Sequence, residues 1–187
     1  MGRTKTQFRQ QIKQRKALLS IKERAICSHA LFERMEALPL FQEAHRVICF
    51  NALPDEPDTE AFLTRNATTK EIYLPIVCGE SLRFAAYTRE SSLRKGAFGI
   101  FEPVGPQVDS RDLAVDLILV PGVAFDINLN RLGRGKGYYD RLLTQVKAHK
   151  LGVCYDFQLV AQVPTEPFDI PMDSVLTEAR YQLSPHL

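Results

Sequence analysis

Short apolar runs alternate along this chain with longer stretches in which apolar residues recur every three or four positions, a rhythm that predicts strands and helices in turn. Residues 47–50 (VICF), 72–75 (IYLP), 117–120 (LILV) and 151–155 (LGVCY) read as strands, the third buried on both faces, and residues 174–177 (SVLT) end the pattern. Residues 82–87 differ, because only Leu82, Phe84 and Ala86 form the apolar series of an alternating strand. Residues 4–19 carry Phe8, Ile12, Leu18 and Leu19 at roughly helical spacing. Ser20 followed by Glu23 has the form of a capping box opening a second helix to about Met35, with Ile26, Ala30 and Leu31 on its apolar face. This helical pair is expected to cover one side of the sheet. A further amphipathic segment (Ala61, Phe62, Leu63) starts near Asp58 or Thr59 as N-cap, and another covers residues 138–143. The fold class is therefore α/β, a mainly parallel sheet with helices on both faces. Residues 88–113, with Gly96, Gly99, Pro103, Gly105 and Pro106, are expected to form a long surface excursion.

Composition narrows the function more than the fold. A length of 187 residues is most economically one domain, spanning 1–187, and 45% hydrophobic with 25% charged residues is ordinary for a soluble globular protein. A net charge of +2 gives no general argument for nucleic acid, although the first 24 residues are far more basic than the rest. The four cysteines, Cys27, Cys49, Cys78 and Cys154, are widely spaced and read as reduced core residues, not as a disulfide frame or a zinc site. No apolar run approaches membrane-spanning length and the start of the chain has no secretory apolar core, so a cytoplasmic protein is expected.

The candidate chemistry lies between the 117–120 run, closed by Pro121-Gly122, and the 138–143 segment. There Gly133, Gly135 and Gly137 are interleaved with Arg134 and Lys136, with Arg131 as a third cation. Glycines let backbone N–H groups converge on an anion, a following helix start adds positive potential, and the cations supply charge. A tight turn among solvated cations is the plainer interpretation. Three glycines, three cations and the Tyr138-Tyr139 pair within ten residues favour a phosphate site. It is neither a P-loop, which needs Lys followed by Ser or Thr, nor the dinucleotide fingerprint. Lys5 and Arg9, one helical turn apart, fit either a solvated helix face or a reach toward polyphosphate. The loop 51–59, at the carboxyl end of the first strand, lies where ligands bind in open α/β sheets. Its acids are explained in part as helix-capping charge. Glu56 fits that explanation less well, because two residues, Pro57 among them, separate it from the cap.

With the stretches VPGVAFD and RLGRGKGYYD the chain resembles the 5-formyltetrahydrofolate cyclo-ligase (5,10-methenyltetrahydrofolate synthetase) family, and the similarity runs along nearly its whole length. Lys5 with Arg9, Glu56 to Thr59, Phe98-Gly-Ile with Glu102-Pro103, and Gln158 with Asp169 match further family elements. The resemblance implies a three-layer Rossmann-like fold shared with ribose-5-phosphate isomerase and CoA-transferase proteins. It also implies an ATP-dependent, magnesium-requiring conversion of 5-formyltetrahydrofolate to 5,10-methenyltetrahydrofolate, in which the formyl oxygen attacks the γ-phosphate and N10 then closes the ring. By the same resemblance Lys5, Arg9, Arg131, Leu132, Gly133, Arg134, Gly135, Lys136, Gly137, Tyr138 and Tyr139 bind ATP. Asn51, Glu56, Arg134 and Tyr138 bind the folate, Arg134, Lys136 and Tyr138 are catalytic, and Asp140 and Asp169 hold Mg2+. Where many bacterial relatives have His before that last acid, this chain has Phe168. The implied partners are small molecules, without nucleic acid or membrane, and the expected state is a monomer.

Other functions make different demands. A non-catalytic folate- or nucleotide-binding protein would keep the pocket and release no phosphate. A sugar-phosphate isomerase needs a general base beside a carbon acid, and no Asp or Glu pair advertises itself for that role. Nucleic-acid binding through residues 3–24 would have only Phe8 to stack on bases.

Overall fold

The structure, a computed structural model, describes residues 4–184. From the N-terminal side the chain forms α1 (Lys5–Ala17), α2 (Ile21–Ala37), α3 (Pro39–Glu43), β1 (Arg46–Ile48), α4 (Glu60–Asn66) and the hairpin of β2 (Glu71–Cys78) with β3 (Ser81–Tyr87). A second hairpin, β4 (Leu93–Lys95) with β5 (Phe101–Pro103), precedes β6 (Leu117–Pro121), β7 (Ala124–Asp126), β8 (Arg131–Leu132) and α5 (Tyr138–Leu143). The chain ends through β9 (His149–Val153), β10 (Leu159–Val160), β11 (Ser174–Leu176) and β12 (Tyr181–Leu183).

The apolar runs pair side by side. The main sheet has seven strands in the order β12-β11-β9-β6-β1-β2-β3. Its five inner strands are parallel, and β3 and β12 run antiparallel along the edges. Along β6, Leu117 and Leu119 enter one apolar cluster while Ile118 and Val120 enter the other, which is why this run carries no polar alternation. The first cluster lies under α2, α3 and α4, where the Phe32 ring stacks on Phe62 at 4.7 Å. The second lies under α5 and a small sheet, through Leu142, Leu143, Phe125 and Leu159. The result is three layers, as the α/β pattern and the resemblance imply.

Two expectations about helix packing are corrected. α1 does not join α2 over the main sheet: its Ile12 packs with Val123, Ala124, Leu132 and Val163, on the small sheet. Of the expected face of α2, Leu31 is buried and Ala30 half-buried but Ile26 is 59% exposed, and Ser28, Phe32 and Met35 are buried with Leu31. The stripe through Leu31, Phe32 and Met35 buries more apolar surface than one through Ile26, and that sets the helix rotation. The Ser20–Glu23 capping box forms as expected, and Thr4 with Gln7 makes a second one that starts α1.

The small sheet is the feature the apolar pattern does not reveal. After Pro121 the chain leaves the main sheet, and β7 pairs antiparallel with β8 and parallel with β10. The fully buried Asp126 carboxylate holds it together, accepting hydrogen bonds from the Asn128, Asn130 and Val163 amides at 2.9, 3.0 and 3.1 Å. Thus β8, and not the buried strand β6, delivers the glycine-rich segment. The 88–113 excursion is likewise more ordered than expected, since β4 and β5 make a hairpin within it.

Candidate functional site

Gly135 and Gly137 have φ of +91° and +70°, a region that a residue with a Cβ enters only under strain, so the turn depends on glycine at both positions. The α5 helix they open is six residues long, so its dipole adds little and the local amides and side chains carry the positive potential. α1 docks on this turn: Arg9 Nε donates to the Gly133 carbonyl at 2.8 Å, and a Cβ on Gly135 would touch the Arg9 guanidinium at 3.4 Å.

Most of the cations assigned to phosphate are held by carboxylates. Arg134 Nε and Nη2 donate to Glu56 Oε1 at 3.1 and 2.9 Å, and Nη2 reaches Asp55 Oδ1 at 2.6 Å. Burial opposes the charge on Arg134, but Glu56 and Asp55 outweigh it and raise its pKa. Arg131, almost wholly buried, donates to Asp140 Oδ1 at 2.6 Å and lies over the Tyr139 ring, and its Nε has no partner. Lys5 Nζ is 2.6 Å from both Glu166 and Asp169 and sits over the Phe168 ring at 5.5 Å. The two acids raise its pKa against the effect of burial. Phe168 thus faces an ammonium with an aromatic surface. Lys136 is exposed.

These groups border a cavity of about 410 Å³, within the range of small-molecule sites. Asn51, Glu56, Arg131, Asp140 and residues 133–139 line it, facing an apolar wall that includes Pro75, Val77, Leu82 and Phe98. Lys5, Arg9 and Asp169 do not line the cavity, although Arg9 bonds the lining residue Gly133, and Leu132 is buried in the α1 contact. Asn51 Nδ2 donates to the Phe101 carbonyl at 2.9 Å, and Tyr138 Oη donates to the Gly79 carbonyl at 3.0 Å. The Phe98 ring meets Tyr138 edge-on at 6.2 Å, so the β4–β5 hairpin forms one side of the entrance. Burial raises the Tyr139 phenol pKa, which keeps it neutral.

Sequence reasoning gave no role to three residues here, although Glu102 falls in a matched family element. Glu102 is buried, lines the cavity and accepts from the Val77 amide at 3.1 Å, tucked against Gly96 where a Cβ has no room. Asp55 bridges Arg134 and the buried Lys16, whose Nζ is 3.2 Å away. Asp55 adjoins Glu56 in the acidic loop, and that proximity was the only signal; a buried lysine on a basic helix gives none.

A sequence profile of the 5-formyltetrahydrofolate cyclo-ligase family matches residues 1–178. The chain is 32% identical over 180 residues to the 5-formyltetrahydrofolate cyclo-ligase of Escherichia coli K12, covering 90% of this chain and 97% of that one. It is 31% identical over 186 residues to the enzyme of the same name from Mus musculus, covering 91% and 92%. Among solved structures, the 5,10-methenyltetrahydrofolate synthetase of Aquifex aeolicus superposes with a TM-score of 0.88 at 37% identity, covering 97% of this chain and 93% of that one. The synthetase from Mycoplasma pneumoniae shares the fold at a TM-score of 0.76 and 22% identity, covering 94% of this chain and 99% of that one.

Proposed function

This chain belongs to the 5-formyltetrahydrofolate cyclo-ligase family, and on that premise we propose how its cavity performs the ATP-dependent conversion of 5-formyltetrahydrofolate to 5,10-methenyltetrahydrofolate, with release of ADP and phosphate. The formyl oxygen attacks the γ-phosphorus of ATP, the bond to the ADP oxygen breaks, and the formyl carbon becomes electrophilic. N10 adds to that carbon and gives up its proton, which the leaving phosphate takes as the C–O bond breaks, so phosphate departs with the former formyl oxygen.

Such a transfer asks the protein for positioning and charge neutralisation more than for covalent work. The turn at 133–137 offers amides and the Lys136 ammonium to the triphosphate, with Lys5 and Arg9 closing from α1. Glu56 accepts from the amino-pyrimidine edge of the pterin, and Tyr138 offers its ring face to the folate. Arg134, in contact with Glu56, stands where folate and phosphate meet. The observation that carries this reading is the placement of Glu56, Arg134 and the glycine turn around one cavity.

Magnesium fits the donor set by its chemistry. Asp140 and Asp169 are hard oxygen donors, each beside a cation that nucleotide phosphates would take over. Among the described residues no cluster of three ligating side chains forms, so an ion here would have to take most of its ligands from phosphates and water. When bound, the ion would neutralise phosphate charge. The proposal extends to a monomer acting in the cytoplasm; among the described residues no helix is long and apolar enough to cross a membrane. The test is to mix the purified protein with 5-formyltetrahydrofolate and Mg-ATP and follow methenyl absorbance. Product forming only with ATP supports the reading, and binding of both substrates without product refutes it.

A further inference from the structure

Next to the reaction cavity lies a second recess of about 540 Å³, bordered by α1, the start of α2 and the acidic loop, and Arg134 lines both. Its charged lining is Arg9, Lys13, Lys16, Arg24 and Arg134 against Asp55 alone, five cations to one carboxylate. Arg9, Lys13 and Lys16 follow at intervals of four and three along α1, so they form one stripe, and like charges at that spacing weaken a helix.

The stripe has little internal compensation. Lys16 is only 6% exposed, and Asp55, at 3.2 Å, can take one of its three donors while it also serves Arg134. Burial lowers the Lys16 pKa, with Asp55 pulling the other way. Arg24 donates through Nη1 to the Pro54 carbonyl at 2.9 Å, but its Nε is buried without a partner. Lys13 is exposed and has no ion-pair partner among the described residues. A desolvated ammonium, an orphaned guanidinium N–H and a free lysine around one recess match an anion with several acceptor oxygens, such as a tetrahedral oxyanion.

We propose that this recess is a second oxyanion site that takes a phosphate-class dianion, distinct from the glycine turn. The claim does not depend on the folate reaction, because Lys13, Lys16 and Arg24 do not line the reaction cavity. The oxyanion has two possible sources, free inorganic phosphate and the phosphates of a bound nucleotide. The first is expected.

Inorganic phosphate is titrated into the full chain by calorimetry, with and without saturating Mg-ADP, for the wild type, Lys13→Gln, Arg24→Gln and Lys136→Gln. Phosphate should bind the ADP-saturated wild type, and loss of one charge-assisted contact in Lys13→Gln or Arg24→Gln should weaken it about tenfold. Lys136→Gln should leave that binding unchanged. Turnover of Lys13→Gln at low phosphate should match the wild type, which also shows that it folds. Loss of phosphate binding when ADP saturates would overturn the proposal, since the oxyanion would then be the nucleotide's own. Binding indifferent to both Lys13 and Arg24 would overturn it as well.

Discussion

Arg134 and Glu56 are 78 residues apart in the chain and meet through two hydrogen bonds, Nε and Nη2 to Oε1, at 3.1 and 2.9 Å. Glu56 is 7% exposed, and its other oxygen accepts from the Leu53 amide at 3.0 Å. The acidic loop after β1 and the turn after β8 are thereby fixed to each other. Glu56→Gln keeps the shape and removes the charge that holds both the guanidinium and a pterin amino group. The folate KM should rise about tenfold, as for one charge-assisted contact, with a smaller change in the ATP KM. Equal changes in steady-state kinetics would contradict the pterin role.

Arg134→Ala removes the cation at the junction of the two substrates. By analogy with the loss of a transition-state donor, kcat should fall by about 10²–10³-fold. Because Arg134 is on the surface of the cavity and not in the core, far-UV dichroism should not change. Turnover near the wild-type rate would show that the charge is needed elsewhere.

Gly135→Ala places a Cβ at φ +91° and against the Arg9 guanidinium. The strained conformation should cost about 1–2 kcal/mol, measurable by denaturant titration. It should also raise the ATP KM, because the turn must shift its amides to relieve the strain. An unchanged ATP KM would mean that the amides at 133–137 do not hold phosphate.

These positions divide by how far the sequence reveals them. Six of the seven strands of the main sheet were legible: the buried inner runs are apolar, β6 most clearly on both faces, and β3 alternates, whereas the partly exposed edge strand β12 carries no apolar run and was not read. The glycine turn was legible because its residues are adjacent in sequence. The Arg134–Glu56 contact, the Lys16–Asp55 pair and the seat of Glu102 are long-range side-chain meetings without periodicity. The small sheet escaped for a different reason: β7, β8 and β10 are two or three residues each, too short to show alternation.

Asp116 ties β1 to β6, its Oδ2 accepting from the His45 and Arg46 amides at 2.8 Å each. The hydrogen bond from Arg46 is the largest cause of its lowered pKa. A carboxyl whose folded pKa is depressed stabilises above its unfolded pKa, and that contribution is lost as pH falls through the folded one. The loss should therefore begin near the ordinary value of 3.8 and continue below it. Asp116→Asn should flatten this part of the profile in urea titrations between pH 5 and 2. A slope as steep as the wild type's would show that Asp116 is not a source of acid lability.

In the proposed reaction the folate's formyl oxygen leaves as an oxygen of the released phosphate. One turnover with 5-formyltetrahydrofolate carrying ¹⁸O in the formyl group, followed by mass spectrometry of the phosphate, tests it directly. One ¹⁸O atom in each released phosphate is the expected result. Unlabelled phosphate formed alongside methenyl product would contradict the mechanism.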